Sequence, residues 1–229
     1  MLVEKAASLE TCTSSEDVWA FATEAFSEVR LPFVIYIMTN AERTNLTLRT
    51  NIPQLYAATD PAQDPFLDYC CHSYEPTRTG VSYLPDYGYL PESAQGFIRG
   101  AENVGFRSGF GFPMHLEGSP RFGGFNLGCG LAREEFEADF AARMSEVQAF
   151  CLLVHRRLDH LDKNPGQLAG RLSPREREIL TMICNGASRK ETANTLDLSP
   201  HTVADYTKSA YRKLGVKNRA EAGRLIFGN

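Results

Sequence analysis

The 229-residue chain is poor in tryptophan, with Trp19 alone, and its six cysteines include no C-x-x-C pair. Cys12, Cys70, Cys71, Cys129, Cys151 and Cys184 have no paired histidine spacing beside them, which argues against a zinc site. No apolar run approaches the roughly 20 residues needed to span a bilayer, so no membrane association is expected. The N-terminus lacks a basic segment followed by an apolar core, the mark of a secretion signal. Free thiols in a reducing, cytoplasmic compartment are the expectation. Lysine is scarce too. Lys5 is the only one before Lys163, and the apolar run Phe33–Met38 is followed by Thr39-Asn40 rather than an acidic pair. A phosphoacceptor receiver domain needs both that pair and a later lysine, so it is disfavoured. An enzyme built on Cys70 or Cys71 beside His72 is poorly supported, because sequence neighbours seldom form a nucleophile–base pair without a third orienting group. No catalytic residue, metal ligand or cofactor is assigned. No repeat or low-complexity segment is evident.

What the chain does carry is dense punctuation at its C-terminal end. Ser173 and Glu176 have the spacing of a capping box, with Pro174 at the first helical position. Ile179, Leu180 and Ile183 recur at helical spacing until Asn185-Gly186. Ser188 and Glu191 repeat the box, with Ala193 and Leu196 on the inner face. Ser199-Pro200 opens a third helix whose stripe is Val203, Ala210 and Leu214, joined by Tyr206 or Thr207, and Gly215 closes it. A fourth helix from about Asn218 turns Ala222, Leu225 and Ile226 inward. Only Asp197, Leu198 and Ser199 separate the second and third helices, the spacing of a DNA-binding helix-turn-helix. The groove-facing side should carry His201, Asp205, Lys208 and Arg212, with Ser199 and Thr202 at a helix start suited to phosphate. Residues 170–229 hold 11 Lys and Arg against 6 Asp and Glu, leaving 13 and 22 for the rest. A basic tail on an acidic body fits double-stranded DNA as the partner.

The N-terminal part alternates helix and strand signals. Ser14 or Ser15 opens a helix to about Val29, with Val18, Trp19, Ala22, Ala25, Phe26 and Val29 buried. Phe33–Met38 and Asn45–Thr50 read as strands joined by the polar Thr39–Thr44 turn. A proline-rich stretch follows, with short helices around Pro65–Ser73 and from Glu92 to Val104. Ser108–Leu116 and Phe122–Leu131 read as a hairpin turning at Glu117-Gly118-Ser119-Pro120. One long helix should run from Glu134 to Leu161. The fold class expected is α+β: an N-terminal α/β/α sandwich with a mainly antiparallel sheet, similar to GAF and PAS domains, and a C-terminal four-helix module. Residues 1–162 form the first domain, 163–170 the linker, with its Pro and Gly, and 171–229 the second. Tyr56, Phe66, Tyr69, Tyr74, Tyr83, Tyr87 and Tyr89 crowd one stretch. Such a cluster suits a small-molecule pocket with a few fixed polar groups, or merely coats a loop-rich surface.

LSPREREIL, NGASRKETA and LSPHTVADYTKSAYRKLGV resemble the LuxR-type helix-turn-helix. Ala204, Tyr206 and Ala210 depart from it, standing where a basic residue, His and Ile are common. More weakly, QDPFL (Gln63–Leu67), GFRSGFGFPMHL (Gly105–Leu116) and FGGFNLGCG (Phe122–Gly130) resemble the autoinducer-binding domain of LuxR-type quorum-sensing regulators. The resemblance implies a small-molecule effector such as an acyl-homoserine lactone. It maps the aspartate that accepts the ligand amide onto Asp64 and a pocket tryptophan onto Tyr83. Asn126 stands where a small hydroxyl residue usually touches ligand, and Gly109 matches a glycine that keeps a tight backbone. The family's lactone-binding tryptophan falls near Leu55 or Tyr56, in a shortened segment. The candidate ligand-binding set is Tyr56, Asp64, Tyr69, Tyr83, Phe110 and Asn126. The resemblance also implies a homodimer reading a two-fold symmetric promoter site, with RNA polymerase as a further partner. The altered pocket and Ala204 leave open a ligand-independent regulator, or an antagonist acting through a heterodimer with a related regulator.

Overall fold

The computed structural model describes residues 2–40, 43, 45–114, 121–162 and 172–227. Its contacts divide the chain into two compact units, Met1–Arg157 and Leu158–Asn229. The linker expected at 163–170, the hairpin turn at Glu117–Pro120 and most of the turn after Asn40 lie outside the described residues.

The first unit is a five-stranded antiparallel sheet covered on both faces. Its strands are β1 (Phe33–Asn40), β2 (Thr47–Thr50), β3 (Thr77–Thr79), β4 (Ser108–Pro113) and β5 (Arg121–Cys129), in the order β2-β1-β5-β4-β3. The expected hairpin of β4 and β5 pairs Phe110 with Leu127 and Gly111 with Asn126. Strand β3 was not expected: Thr77-Arg78-Thr79 is too short to show a period. Helix α1 (Ala6–Thr11) is likewise additional. Helix α2 (Ser15–Glu28) starts at a capping box in which the Ser14 hydroxyl accepts from the Asp17 N–H. It buries Val18, Ala22, Ala25 and Phe26, while Trp19 and Val29 are only half-buried.

Residue alternation along the strands separates two chemistries. Tyr36, Phe110, Phe112 and Phe125 share one face, under α2, α5 (Arg133–Phe140) and α6 (Met144–Asp162). Ile35, Ile37 and Asn126 share the other, under α3 (Pro65–His72) and α4 (Glu92–Gly100). The single helix expected over Glu134–Leu161 is two helices, broken by a 3-10 turn at Ala141–Arg143. The break resets the helical phase. Phe136 and Phe140 of α5 lie 4.7 and 6.4 Å from the Phe110 ring, centre to centre. After it, α6 can turn a separate stripe inward: Val147, Phe150, Cys151 and Val154.

The second unit holds α7 (Pro174–Cys184), α8 (Arg189–Thr195), α9 (Pro200–Leu214) and α10 (Arg219–Phe227). Ser173–Glu176 and Ser188–Glu191 form complete capping boxes, each with side chain and backbone paired reciprocally. Ile179, Ala193 and Val203 make one core, against which Leu196, Leu198 and Tyr206 pack. Leu172, Leu180, Ala210, Leu214 and Ala222 make another. Gly215, at φ 67°, ends α9 in the left-handed region that favours glycine.

Candidate ligand cavity and nucleic-acid interface

A cavity of about 260 Å³ lies in the first unit, on the sheet face that α3 and α4 cover. Its walls are mostly apolar: Ile35, Leu55, Phe66, Phe97, Ile98 and Phe106 all reach it. Asp64, the N-cap of α3, is 1% exposed and forms part of the wall. Its Oδ1 accepts from the Phe66 N–H at 2.8 Å and its Oδ2 from the Tyr56 hydroxyl at 2.5 Å. Burial pushes the Asp64 carboxyl up from its ordinary pKa, and these donors oppose the shift. Tyr56 is pushed up in turn, first by burial and then by the neighbouring carboxylate. The Tyr56 ring leans on Phe97, centroids 5.6 Å apart.

Of the six candidate ligand residues, the structure brings four together. Asp64, Tyr69 and Asn126 line the cavity, and Tyr56 reaches it through Asp64. Tyr69 donates its hydroxyl to the Glu75 carbonyl at 3.0 Å, so the ring rather than the hydroxyl serves the wall. Tyr83 and Phe110 lie elsewhere. Phe110 projects from the other face of β4, against Phe136, with the Arg78 guanidinium over its ring at 4.8 Å. Tyr83 is fully buried, donates to Glu137 Oε1 at 2.7 Å and lies under the Arg133 guanidinium. Strand alternation explains Phe110: a residue and its immediate neighbour point to opposite faces. The polar floor that sequence reasoning missed is Thr77 and Thr79, on the unexpected β3. Their alternation around Arg78 was the available signal, and three residues are too few to read it.

The floor packs closely where β4 carries glycine. A Cβ on Gly111 would come within 2.3 Å of the Phe66 ring, and one on Gly109 within 2.9 Å of Thr79 Oγ1. These positions allow α3 and the β3 side chains to close over the strand.

In the second unit, α9 carries an exposed stripe of His201, Asp205, Lys208 and Arg212, opposite buried Val203, Ala210 and Leu214. His201 Nδ1 and Asp205 Oδ2 are 3.0 Å apart, so the acidic residue is engaged along the helix. Among the described residues, Lys208 and Arg212 engage no carboxylate. The Ser199 hydroxyl caps α9, accepting from the Thr202 N–H at 3.0 Å, and lies 2.8 Å from Thr202 Oγ1. The turn from α8 into α9 passes through Asp197 at φ 52°, and Leu198 N–H donates to the Ala193 carbonyl. Glu176 pins α9 from beneath. It is 3% exposed and accepts from Ser173 N–H at 2.7 Å, Ser209 Oγ at 2.8 Å and Lys213 Nζ at 2.6 Å. Lys213 above all, with the serine donors, holds its carboxyl down at about 2. Among the described residues no cluster of His, Cys, Asp and Glu could hold a metal ion, and no helix is long and apolar enough to cross a membrane.

A small-molecule cavity in one unit and a helix-turn-helix in the other define a regulator rather than an enzyme, and the comparisons agree. Residues 14–158 match the autoinducer binding domain, and residues 170–226 match the bacterial regulatory proteins of the luxR family. The chain belongs to the LuxR family of transcriptional regulators and carries an autoinducer binding domain. Its second unit is of the DNA-binding type that family defines. CepR2 of Burkholderia cenocepacia, described as an N-acylhomoserine lactone dependent LuxR family transcription factor, superposes with TM-score 0.50 at 14% identity. The match covers 69% of this chain and 96% of that one. SdiA of Escherichia coli gives TM-score 0.48 at 18% identity, over 95% and 91% of the two chains. The transcriptional regulatory protein DesR of Bacillus subtilis is 41% identical over 54 residues, 24% of this chain. The chain spans about a quarter of such curated relatives, 27% of DesR.

Proposed function

We propose that this protein is a ligand-controlled transcription factor whose first domain, residues 1–162, binds an acyl-homoserine lactone or a similar small molecule. Residues 163–170 serve as linker, and residues 171–229 bind DNA. The observation that carries the reading is Asp64: a buried carboxylate at the wall of an otherwise apolar cavity, held in place by Tyr56 and the α3 N-terminus. Such a group orients a ligand N–H while the walls take an acyl chain. Tyr56, Asp64, Tyr69 and Asn126 form the ligand-binding set. His201, Asp205, Lys208 and Arg212, with Ser199 and Thr202, form the DNA-facing set.

The protein acts as a homodimer in the cytoplasm. Two copies of α9 read a two-fold symmetric site with half-sites about one helical turn apart, ~34 Å. Ligand acts by stabilising the native first domain, since binding only that state shifts the folding equilibrium toward it.

The test is thermal unfolding of the purified protein with a panel of acyl-homoserine lactones of varied chain length. A concentration-dependent rise in midpoint for at least one, lost in Asp64→Asn, is the expected result. No rise for any member, from a folded protein, would overturn the acyl-homoserine lactone assignment.

A further inference from the structure

The exposed stripe of α9 carries a pair that a count of positive charges does not describe. His201 is the second residue of α9 and Asp205 follows one turn later, with side chains 86% and 68% exposed. His201 is also the only histidine in residues 171–229. Its Nδ1 lies 3.0 Å from Asp205 Oδ2. An ionised carboxylate only accepts, so Nδ1 carries the proton and donates it. That bond turns Nδ1 along the helix and leaves Nε2, across the ring, facing away from Asp205. On its buried side α9 meets α7 and α8 through Ile179, Ala193 and Val203, and the charges there, Glu176 and Lys213, hold each other. Lys208 and Arg212 follow on the exposed stripe, and Asp197 stands in the turn before the helix. Among the described residues, the ion pair that His201 makes is with Asp205 alone.

A bare carboxylate on this stripe works against a phosphate backbone, and the imidazole decides whether it stays bare. With Nε2 unprotonated the pair is negative and Nε2 is an acceptor. With Nε2 protonated the pair is neutral and Nε2–H is a donor. Nearby negative charge favours the protonated ring, and a duplex brings a dense row of it. Histidine is the side chain that changes charge between about pH 5 and 8, so the exchange falls in the ordinary range. Residues at the start of a recognition helix reach the base edges of the major groove. A single outward N–H donor finds an acceptor there at purine N7. Guanine offers O6 beside N7, a second acceptor, whereas adenine places the N6 amino donor there.

We infer that His201 and Asp205 act as one base-reading unit, which takes a guanine in each half-site as an imidazolium–carboxylate pair and draws one proton from solvent for each copy bound. This rests on the DNA-binding reading proposed above. His201 is the reading donor. Asp205 is a positioning residue, acting through the imidazole. Because the bound form holds the proton, affinity for the guanine-bearing site is greatest in mild acid and falls as pH rises.

The experiment begins with selection from a randomised duplex library by the full-length protein and by His201→Ala, at about pH 6. Wild type should enrich a guanine at one position of each half-site that His201→Ala leaves unspecified. Anisotropy titrations then compare the selected duplex with a scrambled duplex of the same composition at about pH 6 and about pH 8, at constant salt. The wild-type preference for the selected duplex should fall by about tenfold for each copy bound as pH rises over that range. His201→Ala should show no such fall. Asp205→Asn keeps an acceptor for Nδ1 but removes the charge, and should make the fall smaller. His201→Arg, a permanent cation with donors for guanine, should keep the guanine at both pH values. All three substitutions lie on the exposed stripe, and an unchanged unfolding midpoint checks that each variant is folded. The same selected sequence for wild type and His201→Ala, a His201-dependent base other than guanine, or an equal pH dependence in the two proteins would overturn the inference and leave the DNA-binding reading intact. Enrichment of no sequence by wild type would overturn that reading and the inference with it.

Discussion

Glu176 does two jobs that the sequence shows only singly. The capping box is legible from Ser173 and Glu176 alone, but the same carboxylate also takes Ser209 and Lys213 of α9, 33 and 37 residues away. A buried acceptor with that many donors is costly to neutralise. Glu176→Gln keeps the shape and loses the charge, so it should destabilise the C-terminal module by about 1.5–3 kcal/mol near neutral pH. The pH dependence has a definite sign. The folded-state carboxyl sits at about 2 against an ordinary 4.5, a depressed acid. Its contribution is fully present above the ordinary value and is lost as pH falls from there toward 2. Denaturant unfolding of both proteins across pH should therefore show a gap that is widest above about pH 5 and closes in acid. A gap that stays constant down to pH 2 would mean the charge is not what stabilises.

Helix α9 presents charge on one side and core on the other, and the two sides answer to different measurements. Lys208→Ala leaves Val203, Ala210 and Leu214 untouched. It should weaken binding to any duplex by a similar factor and lower the slope of log affinity against log salt by about one. Asp205→Ala removes a carboxylate from the same stripe and should strengthen binding to a non-specific duplex several-fold at low salt. Anisotropy titrations at several salt concentrations read both effects, and an unchanged Lys208→Ala slope would take that residue away from phosphate. This helix was legible in advance because its caps, its glycine stop and its stripe all lie within one short segment. The first unit was legible only where a signal was local. Strands β1, β4 and β5 are long enough to read. Strand β3 is three residues and gains its identity only by pairing with β4. The same limit hid the break after Phe140, since helical periodicity runs through Ala141–Arg143 and only packing on Phe110 shows why the phase must reset. It also sent Phe110 to the wrong face. A resemblance maps a residue to a strand, and a one-residue offset moves its side chain from cavity to core. Asp64 was reached through the resemblance of Gln63–Leu67 alone, and the structure places it at the N-cap of α3, ahead of Pro65.

Each unit has a core of its own, and the two proposed sites lie in different units. That separation makes a prediction for the whole chain in calorimetry. Ligand at 100 times its dissociation constant should add about 2.7 kcal/mol to the unit that binds it. The added stability should appear in the transition of the first unit and leave the transition of the second where it was. Glu176→Gln should do the reverse, lowering the second transition and leaving the first. Asp64→Asn should abolish the ligand-dependent rise without moving the second transition, because the lost carboxylate touches only Tyr56 and the start of α3. If ligand instead raised both transitions together, folding of the two units would be coupled in one cooperative step. Control of DNA binding could then be carried by that coupling. If only the first transition moves, the proposed homodimer is the route by which ligand would influence DNA. On that proposal DNA affinity would depend on ligand only in so far as dimerisation does, and sedimentation at matched concentrations with and without ligand would read that dependence directly.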